Sequence, residues 1–149
     1  NNEIAKLLLE RGADANITAS YGPYGNITPL ALASTLGLTD VISSLLIGKS
    51  NINFKMRDGR TALIWACISG KNEAVNALIS NAADLNIADN DGKTALMFAA
   101  ENGDYISAEY LVNSGAYINI SKTALMYAME NGNTEVVDLL TKASLTYNR

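Results

Sequence analysis

The sequence predicts an all-α fold: a solenoid of paired helices joined by short protruding β-hairpin turns, in about five units of which the first is partial. Three observations carry that prediction. A set of residues recurs at fixed offsets, each recurrence holds two short segments with apolar stripes, and polar Asp/Asn/Gly connections separate the recurrences. The threonines opening Thr28-Pro29-Leu30, Thr61-Ala62-Leu63, Thr94-Ala95-Leu96 and Thr123-Ala124-Leu125 are spaced 33, 33 and 29 residues apart. Five positions after each stands Ala33, Ala66, Ala99 or Ala128, and nine after it Gly37, Gly70, Gly103 or Gly132. Seventeen after it stands Leu45, Leu78, Leu111 or Leu140, and twenty-five after it Asn53, Asn86, Asn119 or Asn148. Leu8, Gly12 and Asn16 fit the second half of the same unit. The units are therefore 1–17 (partial), 18–54, 55–87, 88–120 and 121–149, within one domain spanning 1–149.

Each element has a local cause. The threonine precedes a short first helix, where its hydroxyl can cap exposed N–H groups. Pro29 follows at the first helical position, where a missing N–H costs nothing. The alanine lets two helices approach closely, and the glycine ends the first helix in a left-handed conformation. Second, amphipathic helices are expected over Thr39–Ile47, Asn72–Ser80, Tyr105–Asn113 and Thr134–Thr141, with apolar residues at three- and four-residue steps such as Val41, Ile42, Leu45 and Leu46. Gly12-Ala13-Asp14 and Gly115-Ala116-Tyr117 close such helices, and Asp89-Asn90-Asp91-Gly92 reads as a tight hairpin turn.

A 33-residue period of helix, turn, helix and protruding turn resembles the ankyrin repeat family. Asp89 to Ala116 carries the fullest form of the motif, Asp-x-x-Gly-x-Thr-x-Leu-x-x-Ala-Ala-x-x-Gly. The resemblance implies repeats stacked side by side, with first helices and turns lining a concave groove. It also implies that binding is carried by the turn tips and the exposed ends of the first helices. The sequence departs from the family in three places. The usual histidine after Thr-Pro-Leu is replaced by Ala31, Ile64, Met97 or Met126, which substitutes apolar packing for a local hydrogen bond. Ten residues, 18–27, separate Ile17 from Thr28, where six separate Ile87 from Thr94. Only Ser121 and Lys122 separate Ile120 from Thr123, too few to leave one unit and form a hairpin. Either that finger is absent, or four residues are missing from the sequence as given, and the second is the expectation. The open first half-unit and the apolar second helix at the far end suggest part of a longer array.

Composition excludes several function classes. Net charge is −4, against the basic surface that phosphate backbones require, so neither DNA nor RNA is an expected partner. No apolar run approaches the ~20 residues of a membrane span. The chain has no histidine and a single cysteine, Cys67, which removes the commonest general base and zinc ligand and any intrachain disulfide. Cys67 follows Ala66 on the side expected to be buried and reads as a small core residue. Glu101 and Glu130 occupy equivalent positions about 10 Å apart by ordinary helix packing, at the outer edge for paired-carboxylate chemistry. No catalytic residue, cofactor or metal is expected. The expected function is protein binding by a monomer through the groove and tips; the alternative is the recognition arm of a larger toxin, transporter or enzyme. A cytoplasmic location is expected, although Asn1 in place of a start methionine leaves room for a removed leader.

Transferred by position, the candidate partner-binding residues are Arg57, Asp58 and Arg60 at one tip and Asn90, Asp91 and Lys93 at the next. At the helix ends they are Leu36, Ile68, Glu101, Asn102 and Glu130. Leu36 and Ile68 are apolar at places usually exposed, which marks either a contact spot or packing under the neighbouring repeat. Tyr21 and Tyr24 in the insertion offer large contact area with few rotatable bonds, unless the insertion is only a tolerated surface loop. Lys49, Lys55, Arg57 and Arg60 make the earlier units basic. Glu101, Asp104, Glu109, Glu130, Glu135 and Asp138 make the later ones acidic, either steering a partner or simply solvating the surface. Leu32, Trp65, Phe98 and Tyr127 share one repeat position and are expected to stack as buried core.

Overall fold

A computed structural model describes residues 7, 11, 14–20, 26–118 and 123–147. Two two-residue strands, β1 (Ala19–Ser20) and β2 (Asn26–Ile27), pair antiparallel with Ala19 opposite Ile27. Among the described residues eight helices follow in four pairs. The inner helices are α1 (Pro29–Leu36), α3 (Ala62–Ile68), α5 (Ala95–Asn102) and α7 (Ala124–Glu130). The outer helices are α2 (Thr39–Ile47), α4 (Asn72–Ser80), α6 (Tyr105–Asn113) and α8 (Thr134–Tyr147). Each inner helix packs on its own outer helix, and successive inner helices pack on one another. Neighbouring inner helices associate more closely than neighbouring outer ones, which fits the concave inner side that the family resemblance implies. The first partial unit falls largely outside the described residues, as do Tyr21, Tyr24 and the short 119–122 connection.

The recurring residues act as the offsets require. Thr28, Thr61 and Thr123 accept hydrogen bonds from the backbone N–H three residues on, at 3.2, 3.4 and 3.4 Å. Thr94 sits at the same place without a side-chain cap, its hydroxyl buried and without a hydrogen bond. The helix-ending glycine is left-handed, φ 73° at Gly37. The core runs between the rows: Leu30, Leu63 and Leu96 from the inner helices meet Leu45, Leu78, Leu111 and Leu140 from the outer, all buried.

The asparagine at the twenty-fifth offset ties one repeat to the next. Asn16, Asn53 and Asn86 each accept, through the side-chain oxygen, the backbone N–H of the following unit at Asn51, Asp84 and Tyr117 (2.6, 2.9 and 2.8 Å). Asp14, Asn51 and Asp84 hold each asparagine in place by accepting the N–H two residues on, at 2.8, 3.1 and 2.9 Å. The result is a ladder of Asx turns linked through backbone.

Two expectations need correction. Helix α8 ends at Tyr147, not Thr141: no glycine or asparagine stands between Thr141 and Tyr147 to turn the chain left-handed, and Ala143 and Leu145 favour continuing the helix. Met126 is 46% exposed, whereas Met97 at the equivalent place is 2% exposed, so the apolar packing expected in place of the histidine holds at Met97 and not at Met126.

Candidate functional site

The concave side is edged by two hairpin fingers, closed by Met56 N–H donating to Arg60 O and Asp89 N–H donating to Lys93 O, both at 3.0 Å. The fingers are joined to each other. Asn90 donates from its backbone to Asp58 O (3.0 Å) and from its side-chain amide to Arg57 O (2.9 Å), while Lys55 Nζ donates to Ala88 O (2.9 Å). Glycine is required where they touch: a Cβ on Gly59, at φ 81°, would lie 2.6 Å from Asn90 N. Asp89 organises the second finger from inside, its Oδ1 accepting the N–H groups of Asp91 (3.0 Å) and Lys93 (2.9 Å).

Below the tips, cations alternate with aromatic rings along the inner helices. The Arg60 guanidinium lies 5.1 Å from the centroid of Trp65 and 5.4 Å from that of Phe98. Lys93 Nζ lies 5.1 Å from Phe98 and 4.4 Å from Tyr127. Arg60 is also held by Asp89 (3.5 Å) and Asp58 (3.7 Å), and Lys93 by Glu101 (2.8 Å). Each such cation–π contact contributes roughly 0.5–2 kcal/mol, toward the upper end where desolvated. Trp65 and Phe98 are buried, as the shared repeat position predicts, whereas Leu32 and Tyr127 are half-buried.

The sequence candidates therefore occupy two kinds of place. Arg60, Lys93 and Glu101 are half-buried and engaged with one another's neighbours inside the domain. Arg57, Asn90 and Asp91 stand exposed at the tips, with Asp58 half-buried between them. On the helix ends Leu36 is 51% exposed, Glu130 is exposed and Ile68 is half-buried. Asn102 is exposed, yet its amide donates to the carbonyls of Cys67 (3.3 Å) and Ile68 (3.4 Å), tying α5 to the end of α3. Sequence reasoning missed the organising role of Asp89 and the cation–ring alternation. The signal for the second was present, since Arg60 and Lys93 precede Trp65 and Phe98 by five residues in each unit.

On the outer side, an open cleft of about 410 Å³ lies between α6 and α8, lined by Tyr105, Glu135, Asp138, Leu139 and Lys142. The Tyr105 hydroxyl donates to Glu109 Oε1 at 3.0 Å. That hydrogen bond and the Glu109 charge push the phenol above its ordinary pKa. Cys67 is sealed in the core, where burial drives its thiol far above the usual range and keeps it protonated. Among the described residues no helix is long and apolar enough to cross a membrane.

Comparison with curated proteins returns no match. A family profile described as ankyrin repeats (three copies) matches residues 1–89, 30–121 and 84–149. Such domains are generally protein-binding modules and typically non-catalytic. Taken with the four stacked helix pairs, the fixed offsets and the paired fingers, that match across the whole chain places it in the ankyrin repeat family.

Proposed function

We propose that the chain binds a protein partner through its concave side, by the tips Arg57, Asp58, Asn90 and Asp91 and the helix-end residues Leu36, Ile68, Asn102 and Glu130, and that it performs no catalysis. The observation carrying this reading is that the two fingers are bonded to each other and anchored on the aromatic row. Their exposed side chains are therefore displayed from a preorganised edge, which lowers the ordering cost of association. Arg60, Lys93 and Glu101 support that edge from beneath. Tyr21 and Tyr24 stay in the proposal on sequence grounds, as residues of the insertion between β1 and β2.

Capture from an extract of the native cell, using the whole chain as bait, tests this. The combined tip variant Arg57→Glu with Asp91→Lys is expected to lose at least about tenfold of the captured partner, a change of roughly 1.4 kcal/mol. Asn76→Lys, on the exposed side of α4, is expected to retain it. Retention by the tip variant with loss by Asn76→Lys would place the partner on the convex side. The same readout serves if the chain is the recognition arm of a larger polypeptide, because the binding edge is unchanged.

A further inference from the structure

Side chains from both fingers and from the inner helices α3 and α5 meet on Arg60. The residue closes the first finger, its N–H donating to Asp58 Oδ1 at 3.0 Å and its carbonyl accepting from Met56 N–H. Its guanidinium reaches into the next unit. There Nε donates to Oδ2 of Asp89 in the second finger at 3.5 Å, and the group lies 5.1 Å from the Trp65 ring and 5.4 Å from that of Phe98. Asp89 in turn shapes the second finger, because its other oxygen accepts the N–H groups of Asp91 and Lys93 at 3.0 and 2.9 Å. One carboxylate is thus the frame of its own turn and the counter-charge of the turn before it.

The burial of Asp89 decides how the fingers open. Its side chain is 2% exposed, so its charge is held there by Arg60 and the two N–H groups. If the first finger swung away alone, a buried carboxylate would stay behind without its cation, which costs far more than parting an exposed ion pair. If the second swung away alone, Arg60 would lose Asp89 and Phe98 together. Opening both at once carries both charges into water and avoids either half-open state. Asn90 adds a second tie, donating from its backbone to Asp58 O and from its amide to Arg57 O. Gly59 lies against the Asn90 backbone so closely that no Cβ fits between them.

We infer that the two fingers open and close as one cooperative latch, with Arg60 as the positioning residue that couples them. The coupling follows from contacts inside the chain and stands whether or not the concave edge binds a partner. Its consequence for recognition rests on the binding role proposed above: a partner that holds either tip holds both, so contacts at Arg57 and at Asp91 reinforce each other.

Native-state amide hydrogen exchange on the free chain tests the latch. The reporters are the hydrogen-bonded N–H groups of Met56 and Gly59 in the first finger, Asp89 and Gly92 in the second, and Asn90 between them. In the unchanged chain they are expected to share one opening equilibrium. Arg60→Met is expected to raise that opening at least about fivefold in the second finger as well as in its own, since a charge-assisted tie to a buried group is lost. Asp89→Asn keeps the shape and an acceptor oxygen but removes the charge, and by reciprocity it is expected to speed exchange at Met56 and Gly59 too. Asn53→Ala removes the acceptor for Asp84 N–H in the same part of the stack, and the finger amides are expected to stay within about twofold of the unchanged chain. Unequal openings of the two fingers in the unchanged chain would overturn the inference. So would acceleration confined to the finger that carries the substitution. Equal acceleration in Asn53→Ala would show general loosening of the stack and overturn it as well.

Discussion

Backbone sign separates residues that look interchangeable in the sequence. Lys49 and Ala82 hold φ of 65° and 62° at the offset where Gly115 holds 89°. A side chain in that left-handed region costs about 1–2 kcal/mol, and glycine's extra unfolded freedom returns about 0.5–1. Ala82→Gly is therefore expected to stabilise the domain by roughly 0.5–1 kcal/mol, read as a raised urea midpoint at unchanged slope. Gly59→Ala runs the other way. It combines the left-handed φ with a Cβ 2.6 Å from backbone, and a loss of at least about 2 kcal/mol is expected in the same measurement. The first substitution was legible in the sequence, from the Gly-Ala-Asp register. The second was not, because it depends on how close a finger 33 residues away comes to rest.

At the scale of elements, the sequence pattern was sufficient for the helices and blind to what joins them. Periodicity and the Thr/Gly punctuation set α2, α4 and α6 at their observed ends, because the stop signals are local. It misplaced the end of α8 by six residues, since no local stop exists there. The asparagine ladder was visible only as a recurrence. Its cause lies between repeats, where each side chain meets the next unit's backbone. Asn53→Ala is expected to cost about 1 kcal/mol by removing the acceptor for Asp84 N–H, against a change within about 0.5 kcal/mol for the exposed Asn76→Ala; paired denaturant titrations distinguish the two. The cation–ring row makes a similar demand. Arg60→Met keeps much of the side-chain length but removes the charge, leaving Asp89 buried without that partner, and a loss of about 1–3 kcal/mol is expected.

For the whole molecule, stability in a stack of this kind is largely a sum over neighbouring interfaces. Cys67 reports on it, because its thiol lies between α3 and the helices around it, fully buried. Labelling by a thiol reagent is expected to be slow in the native protein and to accelerate under the denaturant that opens the repeats; fast native labelling would contradict the buried placement. The candidate site was half legible on this scale. The family register pointed to the turn tips and the helix ends, and Arg57, Asn90 and Asp91 stand exposed on those tips. It could not separate Arg57 and Asp91, which face outward, from Arg60, Lys93 and Glu101, whose charges are spent on rings and on each other. That division arises from side-chain direction within a turn, which spacing does not encode.

The central claim is that recognition uses the concave edge. Amide hydrogen exchange on the captured complex, compared with the free chain, tests it most directly. Added protection is expected across both fingers, residues 56–60 and 89–93, and at the ends of α1, α3 and α5, with α2, α4, α6 and α8 unchanged. Protection confined to the outer helices, with the fingers exchanging as freely as before, would contradict it.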